Sequence, residues 1–292
     1  MKEELRGMPT SGEHGMARVN GIRIHYLRQG EARPMVLLHG WPQTSFCWRK
    51  VMPSLAQHFT VIAPDLRGFG ASDKPATGYD MRTVATDIRE LTRALGFERS
   101  ILVGHDWGGL VARRYALDWP DAVEGLIIVD IVPHEQILAN LTAPNAFASW
   151  HYFFNAVPDL PEILVEGRVE PFLRAFMRPK CYDPDFLGPE EMAEYVRAYS
   201  QPGALRGGFS YYRCMTRENR ALDAESAGRK IEAPTLVLSG TEGGMGGPYP
   251  VMEMWRKECL DVRGRAIERC GHYVAEEQPE TLLQEILAFC KG

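Results

Sequence analysis

The residues best placed to do chemistry are Asp106, His272 and Asp130. Asp106 is at the centre of GHDWGG, residues 104–109, between the apolar run Ile101-Leu102-Val103 and a helical pattern that begins at Leu110. A strand that enters a glycine-rich turn and leaves as a helix presents the central side chain at the end of a sheet. A carboxylate there is ionised at neutral pH and needs no base to act as a nucleophile. It suits an sp³ carbon bearing a leaving group or a strained C–O bond, because attack on an ester or amide would give only an anhydride. The product is an alkyl ester on the chain, and releasing it requires water and a base. His272, in Cys270-Gly271-His272, can be that base if a buried carboxylate holds its tautomer and its charged form. Asp130, at the end of Leu126–Val129, is the preferred carboxylate, with Glu242 in Ser239–Gly244 as the alternative. The competing readings are a surface turn for Asp106 and a helix cap for Asp130.

These residues need a sheet to position them. Continuous apolar runs at 35–38, 60–62, 101–103, 126–129 and 235–238 alternate with helical periodicity, as a parallel sheet covered on both faces requires. Met81, Val84, Ile88, Leu91 and Leu95 mark a helix over 80–95, with Asp80 as its cap and Gly96 as its stop. Residues 17–28 alternate around Asn20-Gly21 and predict an antiparallel hairpin at one edge. From 133 to 225 the strand rhythm gives way to aromatic residues at helical spacing. The expected organisation is a core over 17–132, a helical lid over 133–225 and the rest of the core over 226–292. Residues 1 to about 16 read as a poorly ordered tail.

Composition narrows the function. The 292 residues carry 33 Lys and Arg against 38 Asp and Glu, a net charge of −5 with no basic block, so nucleic acid is not an expected partner. No stretch has the apolar length of a membrane span, and the charged N-terminus does not resemble a signal peptide, so a cytoplasmic protein with no membrane partner is expected. Six scattered cysteines without CxxC spacing suggest reduced thiols and no metal site.

Together, HGWP (39–42), DLRGFGASD (65–73), GHDWGG and the late Gly271-His272 resemble the α/β-hydrolase superfamily, in its aspartate-nucleophile branch of epoxide hydrolases and dehalogenases. The resemblance runs from about 17 to 290. It implies an α/β-hydrolase fold, a mostly parallel central sheet with helices on both faces and an inserted helical lid, and catalysis with no cofactor and no metal. It also implies that the backbone amides of Trp41 and Trp107 form an oxyanion hole, with a cis bond possible before Pro42. The 65–73 loop is expected to be structural, with Arg67 paired locally.

The lid bears on the reaction. Epoxide opening leaves an alkoxide that needs an acidic donor, whereas a departing halide needs N–H donors but no proton. SWHYFFN (149–155) and FSYYRCM (209–215) resemble the branch of epoxide hydrolases that places a lid histidine and tyrosine over the nucleophile, here His151 and Tyr212. Gly243-Gly244-Met245-Gly246 resembles it too. Tyr211 is the alternative donor, and an aromatic core stripe is the bland reading. That branch often carries glutamate where Asp130 stands and a smaller residue at Trp107.

Fluoroacetate dehalogenases share the lid pair but bind the substrate carboxylate with two arginines, at positions that here are Trp107 and Leu110. Without a cation there, a neutral hydrophobic epoxide is the expected substrate and water the co-substrate, with a haloalkane or haloacetate dehalogenase as the alternative. A non-catalytic receptor on the same scaffold would have no use for His272. The chain is expected to be a monomer or homodimer.

Overall fold

A computed structural model describes residues 12–140, 147, 149–242, 245 and 249–291. Its centre is an eight-stranded sheet: β1 (Glu13–Val19), β2 (Ile22–Gln29), β3 (Pro34–Leu38), β4 (Thr60–Pro64), β5 (Ser100–His105), β6 (Val123–Val129), β7 (Thr235–Gly240) and β8 (Val262–Ile267). Their order is β1-β2-β4-β3-β5-β6-β7-β8. The β1/β2 and β2/β4 pairs are antiparallel and all others parallel. The hairpin turns through Asn20 and Gly21, both at positive φ, where asparagine and glycine are the residues that sit at least cost. Two expectations are corrected here. The strand begins at Glu13 rather than after a tail to 16, because Glu13–Met16 pair with Arg28–His25. The sheet also has a further strand, β8.

Alternation along the central parallel strands sends their apolar residues to both faces of the sheet. Val36, Leu38, Leu102, Leu126, Ile128 and Val237 face one core with the helices Met81–Ala94 and Trp107–Asp118. Met35, Leu37, Ile101, Val103, Ile127, Val129, Leu236 and Leu238 face the other, closed by Leu282 and Ile286 of the helix Pro279–Lys291. With both faces covered, no strand position between them can be polar without a partner. The helix Met81–Ala94 is capped by Asp80, whose carboxylate accepts from the Thr83 amide, and Gly96 follows it at φ 88°.

Between β6 and β7 the described residues are helical, from His134–Ala139 through Trp150–Ala156, Leu160–Val165, Val169–Met177, Pro189–Tyr199 and Ala204–Arg213 to Arg220–Glu225. This insertion lies over the C-terminal strand ends. Its Phe172, Phe176, Tyr199, Phe209 and Tyr212 surround the Trp41 ring at 4.3–6.1 Å. Among the described residues, no helix is long and apolar enough to cross a membrane.

Candidate active site

The turn after β5 is tight. Asp106 adopts φ 50° and ψ −122°, a conformation that L-residues rarely take and that costs about 1–3 kcal/mol. The flanking helix and strand can impose it because they approach so closely. A Cβ on Gly108 would lie 2.2 Å from the Leu38 carbonyl oxygen, and one on Gly40 would lie 2.3 Å from Asp106 Cβ. Glycine at both positions therefore lets the Asp106 turn press against the 39–42 loop. There the Trp41-Pro42 bond is cis, and the Trp41 amide donates to Asp106 Oδ1 at 2.9 Å. The Trp107 amide, first in its helix, bonds the same carboxylate.

The second carboxylate oxygen faces the histidine. Asp106 Oδ2 is 3.6 Å from His272 Nε2, and His272 Nδ1 is 2.6 Å from Asp130 Oδ2. Asp130 is fully buried at φ 47°, and its carboxylate also accepts from the amides of Gly240 (2.9 Å) and Met245 (3.0 Å). It is thus tied to the end of β7 and does not cap the helix that follows it. Glu242 is exposed, and its backbone amide donates to the Cys270 carbonyl. Gly243, Gly244 and Gly246 lie outside the described residues. His105 donates through Nε2 to the His272 carbonyl at 2.8 Å and so supports the base loop from beneath.

Electrostatics separates these groups. Burial would raise the Asp106 carboxyl, but the bond to His272, the charges of His272 and His105 and the Trp107 amide hold it below its ordinary value. Burial would lower His272, but its bonds to Asp106 and Asp130 and their charges push it up to about 9. At neutral pH the two form an ion pair. His105 drops to about 4 through burial and the nearby His272, and stays neutral.

The insertion supplies the roof. The Tyr212 ring is edge-on to Trp107 at 5.0 Å and to His151 at 5.9 Å. Its hydroxyl is raised well above the usual value by burial and then by the charge of Asp106, with the nearby Trp107 and Asn155 side chains acting in opposition. It therefore remains a donor. Tyr211 points elsewhere, donating to the Arg67 carbonyl at 3.0 Å and packing on Phe69 and Tyr79. Arg67 itself pairs with the buried Asp87 twenty residues on, and not locally as expected.

Three residues of this roof escape a reading of the sequence. Tyr152 and Asn155 share the helix of His151, and Asn155 stands one turn after it on the same face, an i, i+4 relation that was open to inspection. Lys180 left no local signal. Its ammonium is within 3.4 Å of His151 Nδ1 and 3.2 Å of Nε2 and lies 3.8 Å from the centre of the Phe176 ring. The expectation of a site without a cation is corrected on this point. Positions 107 and 110 carry none, and Arg113 and Arg114 turn away to Asp223, Glu258 and Asp118, but a lysine seventy residues along the chain enters from above.

A buried carboxylate on a strained strand-to-helix turn thus faces a buried histidine–aspartate pair. The family model for the alpha/beta hydrolase fold matches residues 33–279, and the chain belongs to that family. It is 42% identical to a soluble epoxide hydrolase of Corynebacterium sp. (strain C12), over 97% of this chain and 98% of that protein. It is 33% identical to a fluoroacetate dehalogenase of Burkholderia sp., over 94% of each. The solved structure of the epoxide hydrolase CorEH without ligand superimposes with a TM-score of 0.88 at 39% identity, covering 95% of this chain and 98% of that one.

Proposed function

We propose that the protein hydrolyses epoxides to vicinal diols through an ester on Asp106. The observation that carries this reading is the division of labour on one carboxylate: Oδ1 accepts from the Trp41 amide while Oδ2 faces His272. An oxygen of Asp106 forms a bond to a ring carbon, the ring C–O bond breaks, and the electron pair stays on the epoxide oxygen. Tyr212 and His151 hold that oxygen from the roof.

Alkylation also switches the base on. It turns Asp106 from an anion into a neutral ester, so His272 loses one of the two charges that raise it. The imidazolium then gives up a proton as the alkoxide gains one. Neutral His272, held through Nδ1–H by Asp130, next takes a proton from water, and the hydroxide adds to the Asp106 ester carbon. The oxyanion so formed develops in the cradle of the Trp41 and Trp107 amides. Its collapse releases the diol and restores the Asp106–His272 ion pair.

The relative that acts on fluoroacetate shows that such scaffolds also support dehalogenation, and the lid pair does not separate the two. The epoxide reading is favoured by identity and coverage and by a tyrosine held protonated over the nucleophile. Tyr212→Phe tests it. Loss of that donor slows ring opening by about a hundredfold or more while the ester hydrolysis rate is kept. An unchanged alkylation rate would remove the tyrosine from the mechanism.

A further inference from the structure

Lys180 is a half-buried residue whose ammonium reaches the His151 ring and which the scheme above does not use. It ends the short turn Arg178–Lys180 that follows the helix Val169–Met177, and its carbonyl accepts from the His272 amide at 2.7 Å. The roof lysine and the catalytic base are thus tied to each other by their backbones. The side chain runs the other way, under Phe176, which is itself edge-on to His151 at 5.0 Å and to Trp41 at 4.3 Å. Among the described residues no carboxylate pairs with this ammonium, and its polar partner is the His151 ring.

Two consequences follow from that contact. A neutral imidazole has one nitrogen lone pair, and with the ammonium close to both nitrogens, that lone pair has a donor in either tautomer. An imidazolium beside an ammonium is opposed by like charge, so the contact favours a single positive charge on this pair above Asp106. Tyr212, next to His151, is held protonated. The ionised groups below are Asp106 and Asp130, both negative, and His272.

We propose that Lys180 is a positioning residue for ring opening: it polarises His151 and supplies the positive charge that stabilises the oxygen leaving the epoxide. This rests on the epoxide reading. No proton need leave the lysine in this role; its charge acts on the electron pair as the C–O bond breaks. The same charge offsets the negative excess of the two aspartates over His272.

The ammonium is lowered to about 7 by burial, against the charges of Asp106 and Asp130. Its ammonium meets the His151 ring and the Phe176 face and feels the charges of Asp106 and Asp130. The other titratable groups of this region are Tyr152 and Tyr212, which pack on His151, His272 and Tyr273 beyond β8, and Arg178 and Cys181 on its own segment. Lysine is charged below that value and neutral above it. The alkylation rate should therefore fall as pH rises through neutrality.

The test is the single-turnover alkylation rate between pH 6 and 8.5, read by rapid quench and intact mass in the His272→Gln chain, in which the ester persists. Styrene oxide serves as a neutral probe and glycidate as an anionic one. At pH 6, Lys180→Met should be slower on both by roughly 10- to 100-fold and should lose the falling limb. Lys180→Arg, charged across the range, should keep most of the rate and also lose the limb. Should the methionine variant fold poorly, the arginine profile alone decides.

A limb that persists in both variants, or a methionine variant as fast as its parent, overturns the proposal. A loss confined to glycidate overturns it in favour of recognition of a substrate carboxylate. Failure of the epoxide reading has a different signature, since no ester would form from any epoxide even with Lys180 intact, and both readings would fall together.

Discussion

Asp106→Ala should reduce epoxide turnover to the uncatalysed background. The expectation is more severe than for a general acid or base, whose loss costs typically about 10²–10⁴-fold, because no second nucleophile stands in its place. Water cannot substitute readily. The cradle formed by the Trp41 and Trp107 amides is built around a carboxylate oxygen, and His272 is raised as an acid by the very charge the mutation removes. In the variant His272 keeps only Asp130 as a counter-charge, so its apparent value falls from about 9. The fold should survive, since the substitution removes a buried carboxylate and leaves the strained turn and its flanking glycines in place. Steady-state diol formation with a melting curve checks both parts, and residual turnover above background in a well-folded Asp106→Ala protein contradicts the nucleophile role.

Asp130→Asn is expected to have the second largest effect, on the other half of the cycle. The carboxylate accepts from His272 Nδ1 at 2.6 Å and from two backbone amides, so the imidazole is oriented with Nε2 towards Asp106. An asparagine keeps the volume but removes the charge and can present an N–H where an acceptor is needed, which costs about 10⁴-fold where the same exchange disables a serine triad. Here the loss falls on ester hydrolysis. Alkylation proceeds and the ester accumulates. Glu242→Gln, a change at an exposed side chain, should leave both steps within about twofold. Comparing ester breakdown in the two variants decides between the two acids, and a larger loss from Glu242→Gln would reverse the assignment.

How much of this was open to inspection in the sequence depended on the distance over which each feature is specified. The β3, β5 and β6 runs are apolar at every step, and the β7 run after its first threonine, because both faces of those strands are covered, so the pattern itself shows their burial. The helix Met81–Ala94 announces its cap and its buried face within fifteen residues. Asp106 and Asp130 stand directly after legible strands, where the chain must turn, whereas His272 lies five residues past the end of β8 and stood out by the family resemblance.

Features settled by tertiary packing were not legible. β8 has four consecutive exposed residues, Arg263 to Ala266, and lies at the sheet edge, so no hydrophobic pattern reveals it. Tyr211 and Tyr212 are adjacent on one helix and point about 100° apart, and only the position of that helix over Trp107 selects the second. Lys180 enters the site because the segment after the helix Val169–Met177 is tied to the His272 amide. Nothing near this lysine in the sequence says that its ammonium meets His151.

The central claim is a covalent ester between Asp106 and an opened epoxide, and one measurement reaches it directly. The His272→Gln chain, with the nucleophile and roof intact but no base, is incubated with an excess of styrene oxide and, separately, with haloalkanes and fluoroacetate, and its intact mass is then read and the adduct mapped by peptide. The expected result is an increase equal to the whole epoxide, located on Asp106. An adduct equal to a halide substrate less its halide, with none from any epoxide, would contradict the account and make the protein a dehalogenase.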